Sequence, residues 1–303
     1  MKRTILVAGT MAFDTLETPF GKREKILGGS ANFFSLAACN FTQVELSSIL
    51  GSDFPKEHIE YMNSRGIATS NTEWVEGKSF HWVARYEGCM NEAETLETHL
   101  NILPDYEPEF NDDAKKCEIL FLANFRPDKQ LHAIKEAKGA KLVICDTINF
   151  WIQNNLEELK QVLKATDIFI INENEARMIS GELNINKAAK KVLAMGPKTL
   201  VIKRGEYGSF VYREGEDLFF VPAYPLSTVI DPTGAGDTFA GGFAGYLATS
   251  KDYNSFKEIK KAMIYGAVTA SFTVEGFGIE RIKTATIKEI QQRYDNMIKM
   301  MSL

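Results

Sequence analysis

Residues 231 to 242 read DPTGAGDTFAGG, a stretch that combines the residues of a turn with those of a helix start. Pro232 and Gly234 predict a turn, and the small and apolar residues that follow, through Ala248, predict a buried helix. Gly234, Ala235 and Gly236 would then occupy the first helical turn, where backbone N–H groups have no intrahelical partner and the helix dipole is positive. Since glycines let the backbone approach an anion closely, the stretch predicts a site for a phosphate-sized anion.

An acidic residue, Asp237, belongs to the same predicted turn. It can complement the positive end of the helix dipole, which is an ordinary structural role. At a site suited to phosphate its charge would instead repel the anion, unless it has a separate task such as taking a proton from an attacking hydroxyl group. The residues alone leave both interpretations open.

This stretch resembles the C-terminal motif of the ribokinase-like, or PfkB, carbohydrate kinases, and that motif is specific. The resemblance implies an ATP-dependent phosphotransferase that acts on an alcohol group, with Mg²⁺ as cofactor. In that family the Gly-Ala-Gly amides form an anion hole for the transferred phosphoryl group, and the following Asp is the catalytic base. The anion-hole role would fall on Gly234, Ala235 and Gly236, and the role of base on Asp237.

Composition limits the class of protein. A chain of 303 residues with 45% hydrophobic and 25% charged residues is ordinary globular material, and its net charge of −5 does not support a broad basic surface for nucleic acid. The four cysteines lack CxxC spacing, which favours core thiols over a disulfide framework, and the four histidines lack an HExxH pattern. No stretch has the length of a membrane span, so we expect a cytoplasmic protein without a membrane partner.

Apolar strands alternate with helices over most of the chain, and this pattern predicts a doubly wound, mostly parallel α/β sheet flanked by helices. A helix is predicted to open at residues 28 to 32. The other predicted helices are 54–65, 128–138, 151–164, 256–274 and 284–300. The predicted strands are 4–8, 46–50, 118–123, 141–145, 167–171 and 199–203, followed by a hairpin of 210–212 and 218–221.

Residues 69 to 103 depart from this alternation, because turns at Gly77 and Gly88 separate three predicted strands without a long helix between them. These strands, 72–75, 80–86 and 94–100, predict a small antiparallel sheet, and residues 15 to 27 are predicted to complete it. The resembled family has a β-sheet lid in these two places, which often also serves as a dimer contact. We therefore expect one domain over residues 1 to 303, a lid formed by about 12–27 and 69–103, and a homodimer through the lid as a candidate assembly.

Two N-terminal features are candidates for binding the acceptor substrate. Asp14 follows the first strand, at the edge of the sheet where open α/β folds bind ligands, although a solvated loop acid would look the same. Gly28 and Gly29 open a helix, which alone can mean only a tight connection. Both places match the resembled family, in which the Asp binds sugar hydroxyls and the glycines and Asn32 contact the acceptor.

Two strand ends carry further candidates. Asn172 and Glu175 follow a strand and lie three residues apart, as in a helix cap; they also match the Asn-x-x-Glu motif that organises Mg²⁺ and its waters in the resembled family. Lys203 and Gly205 follow the next strand, where a basic turn is either solvated or in contact with phosphates. The resemblance makes them nucleotide-site candidates.

The resemblance also places nucleotide and cation contacts at the end of the chain. Gly276, together with Gly234 and Gly236, falls in the nucleotide site, since the loop after helix 256–274 lines the adenine pocket in that family. Asp231 and Thr233 match residues of a monovalent-cation site beside the anion hole. The second loop departs from the ribokinase pattern, so K⁺ is a candidate ion without a predicted requirement.

The acceptor is a sugar or a nucleoside, and three observations bear on the choice. Seven aromatic residues near the expected pocket could stack on a nucleobase, although core packing also explains such residues. Lys78, His81 and Arg85 in the lid could instead bind a sugar phosphate. The Val274-Glu275-Gly276 loop is similar to prokaryotic nucleoside kinases of the family, which favours a nucleoside. The aromatic residues are Phe13, Phe33, Phe80, Trp82, Phe125, Phe150 and Trp151.

Other functional classes lack their local signatures. The chain has no GxxxxGK[ST] loop and no HRD or DFG set, and Phe239 occupies the third glycine position of a Rossmann fingerprint. A non-catalytic sugar- or nucleotide-binding regulatory protein on the same scaffold stays open as an alternative, since fold does not establish function. The presence of Asp237 and of the anion-hole glycines argues against it.

Overall fold

The structure is a computed structural model that describes residues 3 to 302 and contains two β-sheets. Its strands within those residues are β1 (Ile5–Ala8), β2 (Ala12–Thr18), β3 (Gly21–Gly28), β4 (Val44–Gly51), β5 (Ile67–Val75), β6 (Phe80–Tyr86), β7 (Ala93–His99), β8 (Ile119–Leu122), β9 (Leu142–Cys145), β10 (Ile168–Asn172), β11 (Thr199–Lys203), β12 (Ser209–Arg213) and β13 (Phe219–Val221).

The helices of the same residues connect these strands or cover them. They are α1 (Ser30–Ala38), α2 (Lys56–Ser64), α3 (Pro127–Glu136), α4 (Asn149–Asn154), α5 (Leu156–Lys164), α6 (Glu173–Ser180), α7 (Ile185–Leu193), α8 (Ala235–Thr249), α9 (Phe256–Thr273), α10 (Glu280–Thr284) and α11 (Ile287–Met301).

The larger sheet has nine strands in the order β13-β12-β11-β10-β9-β8-β1-β4-β5. The seven strands from β11 to β5 are parallel, while β12 and β13 form an antiparallel edge. In β1, Ile5 and Val7 pack into the core beneath α1, α8 and α9, whereas Leu6 and Ala8 pack into the core beneath α3 to α7. Since helices cover both faces, the parallel strands are apolar throughout, and the predicted doubly wound α/β class is confirmed.

The order of the strands reverses at β1, because β4 and β8 lie on its two sides. Open α/β sheets bind ligands at the carboxyl ends of the strands beside such a reversal. Here Thr10, after β1, is hydrogen-bonded to Ser30 at the start of α1, and Ser30 Oγ also accepts from the backbone N–H of Asn124, after β8. The fold therefore places the start of α1 in this crevice.

The smaller sheet has four strands in the order β3-β2-β6-β7. Two antiparallel pairs, β3 with β2 and β6 with β7, are joined by a parallel pairing of β2 with β6. The prediction that residues 72 to 75 belong to this sheet is wrong, because they lie in β5 and pair in parallel with β4 at the edge of the larger sheet. Turn residues near Gly77 marked the end of the strand, but its partner depends on residues far away in sequence.

Other predictions differ in detail. The predicted helix 151–164 is two helices, α4 and α5, which meet at Asn155. A cap at the start of α6 was predicted, but the extent of α6 and the helix α7 were not; Gly181 ends α6 in the left-handed conformation, with φ 69°. All four cysteines are free thiols, and two of them, Cys117 and Cys145, are buried. Within residues 3 to 302 we find no helix with the length and apolar character needed to cross a membrane.

Candidate active site

The first turn of α8 lies against the first turn of α1. Gly234 is the N-cap of α8 and has φ 73°, and a Cβ at this position would lie 2.4 Å from the ring of Phe33. A side chain here would therefore be strained and would also collide with α1. The N–H of Ala235 donates to Pro232 O at 3.1 Å and closes the turn. Because the N–H of Ala235 already has this partner, an anion at the turn would be bound first by the amides of Gly234 and Gly236.

A lysine lies beside this turn. The Nζ of Lys203 lies 2.7 Å from the position that a Cβ on Gly236 would occupy, so a side chain there would displace the ammonium group. Lys203 Nζ also lies 3.3 Å from Asp146 Oδ2, and both side chains are largely buried. The end of β11 thus brings an ammonium group to the glycine turn, and the contact of Lys203 with phosphate stays a prediction.

Three acids share this region with Lys203. Burial and the charge of Asp146, opposed by Lys203, raise the pKa of Asp237 to about 7. Burial and Asp146 likewise raise the pKa of Glu175 to about 8. The pKa of Asp146 is itself raised by burial. Because three carboxyl groups surround one ammonium group and burial favours their protonated forms, a cation that arrives with phosphate would stabilise their ionised forms.

The predicted acceptor residues also meet one another. Asp14, in β2, is buried, and a Cβ on Gly28 would lie 1.8 Å from its Oδ2. Asn32 Nδ2 donates to Gly28 O at 3.2 Å, and Gly29 is the N-cap of α1. Burial raises the pKa of Asp14 well above its usual range, and the charges of Asp231 and Asp237 add to the shift. A carboxylate and an amide therefore flank Gly28 close to the first turn of α8.

The candidate cation residues tie two loops together. Asp231 Oδ1 accepts from the N–H of Thr233 at 2.9 Å, and its Oδ2 accepts from the N–H of Gly278 at 2.9 Å. Thr233 Oγ1 donates to Tyr86 OH, in β6, at 3.2 Å. Gly276 is buried in the loop that Asp231 holds. This network fixes the loop before α8 against the loop after α9 and against the small sheet.

Asn172 and Glu175 form the cap of α6. Asn172 Oδ1 accepts from the N–H of Glu175 at 2.8 Å, and Glu175 Oε2 accepts from the N–H of Asn172 at 2.7 Å, which is a complete capping box. Within residues 3 to 302, no three His, Cys, Asp or Glu side chains are grouped to hold a metal ion. The capping interpretation therefore describes the geometry, and a contact to Mg²⁺ through water stays a proposal.

Replacing Asn172 with Ala is expected to lower the free energy of unfolding by about 1 kcal/mol, because the cap of α6 is lost. Urea denaturation without ATP and Mg²⁺ measures this change. Asn184 is the matched control, since it caps α7 through the N–H groups of Asn186 and Lys187. If Asn172 also serves Mg²⁺, only Asn172→Ala raises the Mg²⁺ concentration needed for half-maximal activity; equal Mg²⁺ dependence in both variants contradicts the metal role.

The turn between β6 and β7 reaches the nucleotide-site candidates. A Cβ on Gly205 would lie 2.5 Å from Asn91 Oδ1, and Asn91 Nδ2 donates to the carboxylate of Glu206 at 2.8 Å. Asn174, at the start of α6, donates to the carboxylate of Glu92 in the same turn. The small sheet therefore spans from the loop before α8 to the ends of β10 and β11, as a cover over the strand ends would.

The family profile described as "pfkB family carbohydrate kinase" matches residues 7 to 284. This span contains both glycine turns, the small sheet and the strand-end acids. The chain belongs to the pfkB family of carbohydrate kinases. The kinase is 32% identical over 251 residues to the cytidine kinase of Thermococcus kodakarensis, with 80% of this chain and 88% of that protein covered.

Two solved structures share the fold of this kinase. The Methanocaldococcus jannaschii nucleoside kinase, an archaeal member of the ribokinase family, superposes with a TM-score of 0.76 at 22% identity, covering 97% of this chain and 98% of that one. The Arabidopsis thaliana ribokinase complexed with ribose and ATP gives a TM-score of 0.77 at 21% identity, covering 97% and 99%. These structures confirm the predicted ribokinase-like fold, and the family match together with the cytidine kinase relative confirms the kinase class.

Sequence reasoning missed two polar residues of the kinase's site region, Asp146 and Asn124. Asp146 follows β9 directly and pairs with Lys203; Asn124 follows β8, and its Oδ1 accepts from Trp151 Nε1 at 2.7 Å. A signal for both was present, because each is a polar residue within two positions of the end of an apolar strand. Trp151 was named only as one aromatic residue among several.

Proposed function

We propose that this kinase transfers the γ-phosphoryl group of ATP to an alcohol group of a nucleoside, with Asp237 as the catalytic base. The position of Asp237 carries the proposal. It lies in the glycine turn at the start of α8, beside Lys203, and its charge acts on the buried carboxyl group of Asp14. An acceptor held by Asp14 and a phosphate held by the turn would therefore meet at Asp237.

In the proposed reaction, Asp237 takes the proton of the acceptor hydroxyl while the oxygen of that hydroxyl attacks the γ-phosphorus of ATP. A new oxygen–phosphorus bond forms, the bond from the γ-phosphorus to the β–γ bridging oxygen breaks, and ADP leaves. The amides of Gly234 and Gly236, with Ala235 between them, and the ammonium group of Lys203 stabilise the charge on the transferred group. A base with a pKa near 7 suits this task at neutral pH.

The residues fit an ATP·Mg²⁺ substrate. Lys203, Gly205 and the loop of Gly276 are the proposed nucleotide contacts, and the turn between β6 and β7 covers Gly205. Asn172 and Glu175 would hold Mg²⁺ through water, and the surplus of carboxyl groups around Lys203 favours a cation there. When bound, the ion would neutralise charge on the phosphates. Asp231 and Thr233 have protein partners for their side chains, so we do not extend the proposal to a K⁺ requirement.

An aromatic cavity supports a nucleoside as the acceptor. A cavity of about 460 Å³ lies between residues 100–106, α3 and α4. Trp151 in its wall donates a hydrogen bond to Asn124, and Asn124 donates one to Ser30 at the start of α1, so the cavity is linked to that helix. This volume admits a heterocyclic base, and Phe150 is exposed in its wall. The wall residues are Leu100, Leu103, Pro104, Tyr106, Phe125, Arg126, Asp128, Lys129, Phe150, Trp151, Asn154, Asn155 and Glu158.

The cations of the small sheet do not favour a sugar phosphate. Arg85 lies 3.3 Å from Glu87 and 4.0 Å from both Glu17 and Glu94, so nearby acids already balance its charge. His81 Nε2 is hydrogen-bonded to Thr15 Oγ1 at 2.9 Å. A phosphate would have to displace these partners. These contacts therefore do not support a phosphofructokinase-like acceptor.

Replacing Phe150 with Ala is expected to raise the KM for a nucleoside about tenfold, because a base loses its stacking surface. The KM for ATP should not change. Phe220→Ala is the matched control, since Phe220 is a similarly exposed phenylalanine on the edge strand β13. Equal nucleoside KM values in the two variants would contradict the assignment of the cavity to the base.

The test of the proposed function is ADP release from ATP·Mg²⁺ by the purified kinase. The acceptor panel is cytidine, the other ribonucleosides, ribose and fructose 6-phosphate, with Asp237→Asn measured in parallel. Release that depends on a nucleoside and disappears in the variant supports the proposal. Silence across the panel, with ATP binding shown separately, would instead support a regulatory protein on this scaffold. The cytoplasmic location and the homodimer through the small sheet stay predictions.

A further inference from the structure

A buried histidine lies against the proposed acceptor amide. His58, in α2, is buried, and its Nε2 lies 2.9 Å from Asn32 Oδ1. Asn32 is fully buried as well, and its Nδ2 donates to Gly28 O. His58 follows Pro55 in a surface helix with no site motif, so only the packing of α2 against α1 brings it to this position.

The contacts define which atom donates in each hydrogen bond. Gly28 O can only accept, so the amide group of Asn32 must turn its Nδ2 towards Gly28 and its Oδ1 towards His58. A carbonyl oxygen also only accepts, so Nε2 of His58 must carry the proton. Burial, together with the charge of Lys283, lowers the pKa of His58 to about 4, so the ring is neutral at physiological pH.

We propose that His58, as the neutral Nε2–H tautomer, is a positioning residue that locks the side-chain amide of Asn32 in the orientation required to bind the acceptor. In this orientation Asn32 keeps one N–H free and offers the acceptor a donor only. Asp14, on the other side of Gly28, offers a hydrogen-bond acceptor only when its carboxyl group is ionised. The pair would thus bind hydroxyl groups with fixed roles: one hydroxyl oxygen receives the amide hydrogen, and one hydroxyl hydrogen points to the carboxylate. This inference rests on the proposed function, in which Asn32 contacts the acceptor.

The orientation of the Asn32 amide depends on one hydrogen bond, the one between His58 Nε2 and Asn32 Oδ1. Without a donor at residue 58, the buried Oδ1 of Asn32 loses its partner, and a buried polar atom without a partner is costly. The amide can then rotate and present its oxygen to the acceptor, which opposes the hydroxyl oxygen that it should bind. Among the described residues, His58 Nδ1 has no hydrogen-bond partner, so the Nε2 contact is the polar interaction that orients the ring.

The tautomer can be measured without reference to activity. In protein labelled with ¹⁵N-histidine, long-range ¹H–¹⁵N correlation spectra separate the two ring tautomers, and the signal that disappears in His58→Gln belongs to His58. We expect the Nε2–H tautomer, unchanged between about pH 5 and 8, because the pKa of His58 lies near 4. An Nδ1–H tautomer, or a charged ring at neutral pH, would overturn the proposal.

Kinetics with cytidine and ATP test the effect on the acceptor. His58→Phe is expected to raise the KM for cytidine about tenfold and to leave the KM for ATP unchanged, whereas His58→Gln, which restores a donor, should stay within about threefold of wild type. Tyr61→Phe is the control, since it removes a hydrogen bond from α2 to Lys283 O without contacting Asn32. If the Gln and Phe variants behave alike, His58 does not act through its donor. If wild type turns over no acceptor, the proposed function fails, while the tautomer still decides whether His58 locks Asn32.

Discussion

Replacing Asp237 with Asn is expected to lower kcat by about 10²- to 10⁴-fold, because the acceptor hydroxyl loses the base that removes its proton. ATP binding should persist, since Asn keeps the shape of the side chain and the amides of Gly234 and Gly236 stay in place. ADP release with the best acceptor of the panel, and ATP binding by calorimetry, measure the two quantities. Wild-type turnover in the purified variant would contradict the assignment.

Loss of folding cannot explain the expected loss of activity. The pKa of Asp237 is raised in the folded state to about 7, so the folded state holds this proton more tightly than the unfolded chain does. As pH rises from the pKa of Asp237 in the unfolded chain to about 7, the free energy of unfolding falls progressively. Above that range the whole contribution of this proton to stability is lost. Asn carries no such proton. At pH 8 and without ligands, the variant should therefore unfold at the same temperature as wild type or at a higher one.

The pH profile is part of the same test. In wild type, kcat/KM should rise between about pH 6 and 8, because only the ionised form of Asp237 accepts a proton and its pKa is about 7. The ionisation of free ATP and of the acceptor over this pH range must be taken into account. The coupling enzymes of the assay must not limit the rate at any pH. A profile that is flat down to pH 5 would mean that Asp237 is not the group that limits the reaction.

Replacing Asp14 with Asn is expected to lower kcat/KM for the acceptor by about 10²-fold, because hydrogen bonds to a charged group contribute up to about 3 kcal/mol. The KM for ATP should not change, since Asp14 lies on the acceptor side of Asp237. The pKa of Asp14 is raised by burial and by Asp231 and Asp237, so the variant also removes a costly buried charge and should fold at least as well. Equal losses for ATP and acceptor would contradict a role confined to the acceptor.

Two further variants sharpen this second test. Gly28→Ala leaves the carboxyl group in the protein but forces it to move, since the new Cβ would lie 1.8 Å from Asp14 Oδ2. It should therefore reproduce the loss on the acceptor side. Glu45→Gln is the control for removing a partly buried acid with a raised pKa, because Glu45 lies in β4 and is hydrogen-bonded to Asn71, away from these residues. It should leave both KM values unchanged.

Local patterns predicted much of this molecule. The turn and helix of residues 231 to 248 were read from glycines and apolar residues that are adjacent in sequence, and α8 begins where they predict. The cap at Asn172 and Glu175 was also predicted, since a capping box needs only four consecutive residues. By contrast, β5 was placed in the wrong sheet, because its strand character is local while its partner β4 is chosen by packing.

The sequence by itself therefore determined the fold class, the family and the residues Asp14, Asn32, Lys203 and Asp237 as candidates. The tertiary structure decided that these residues lie together, added Asp146 and His58 to their surroundings, and connected Trp151 to Asn124 by a hydrogen bond. The physical reason is the range of each interaction. Caps, turns and periodicity act over a few residues and leave a pattern in the sequence, whereas a pKa shift or a hydrogen bond between helices arises only when distant segments pack.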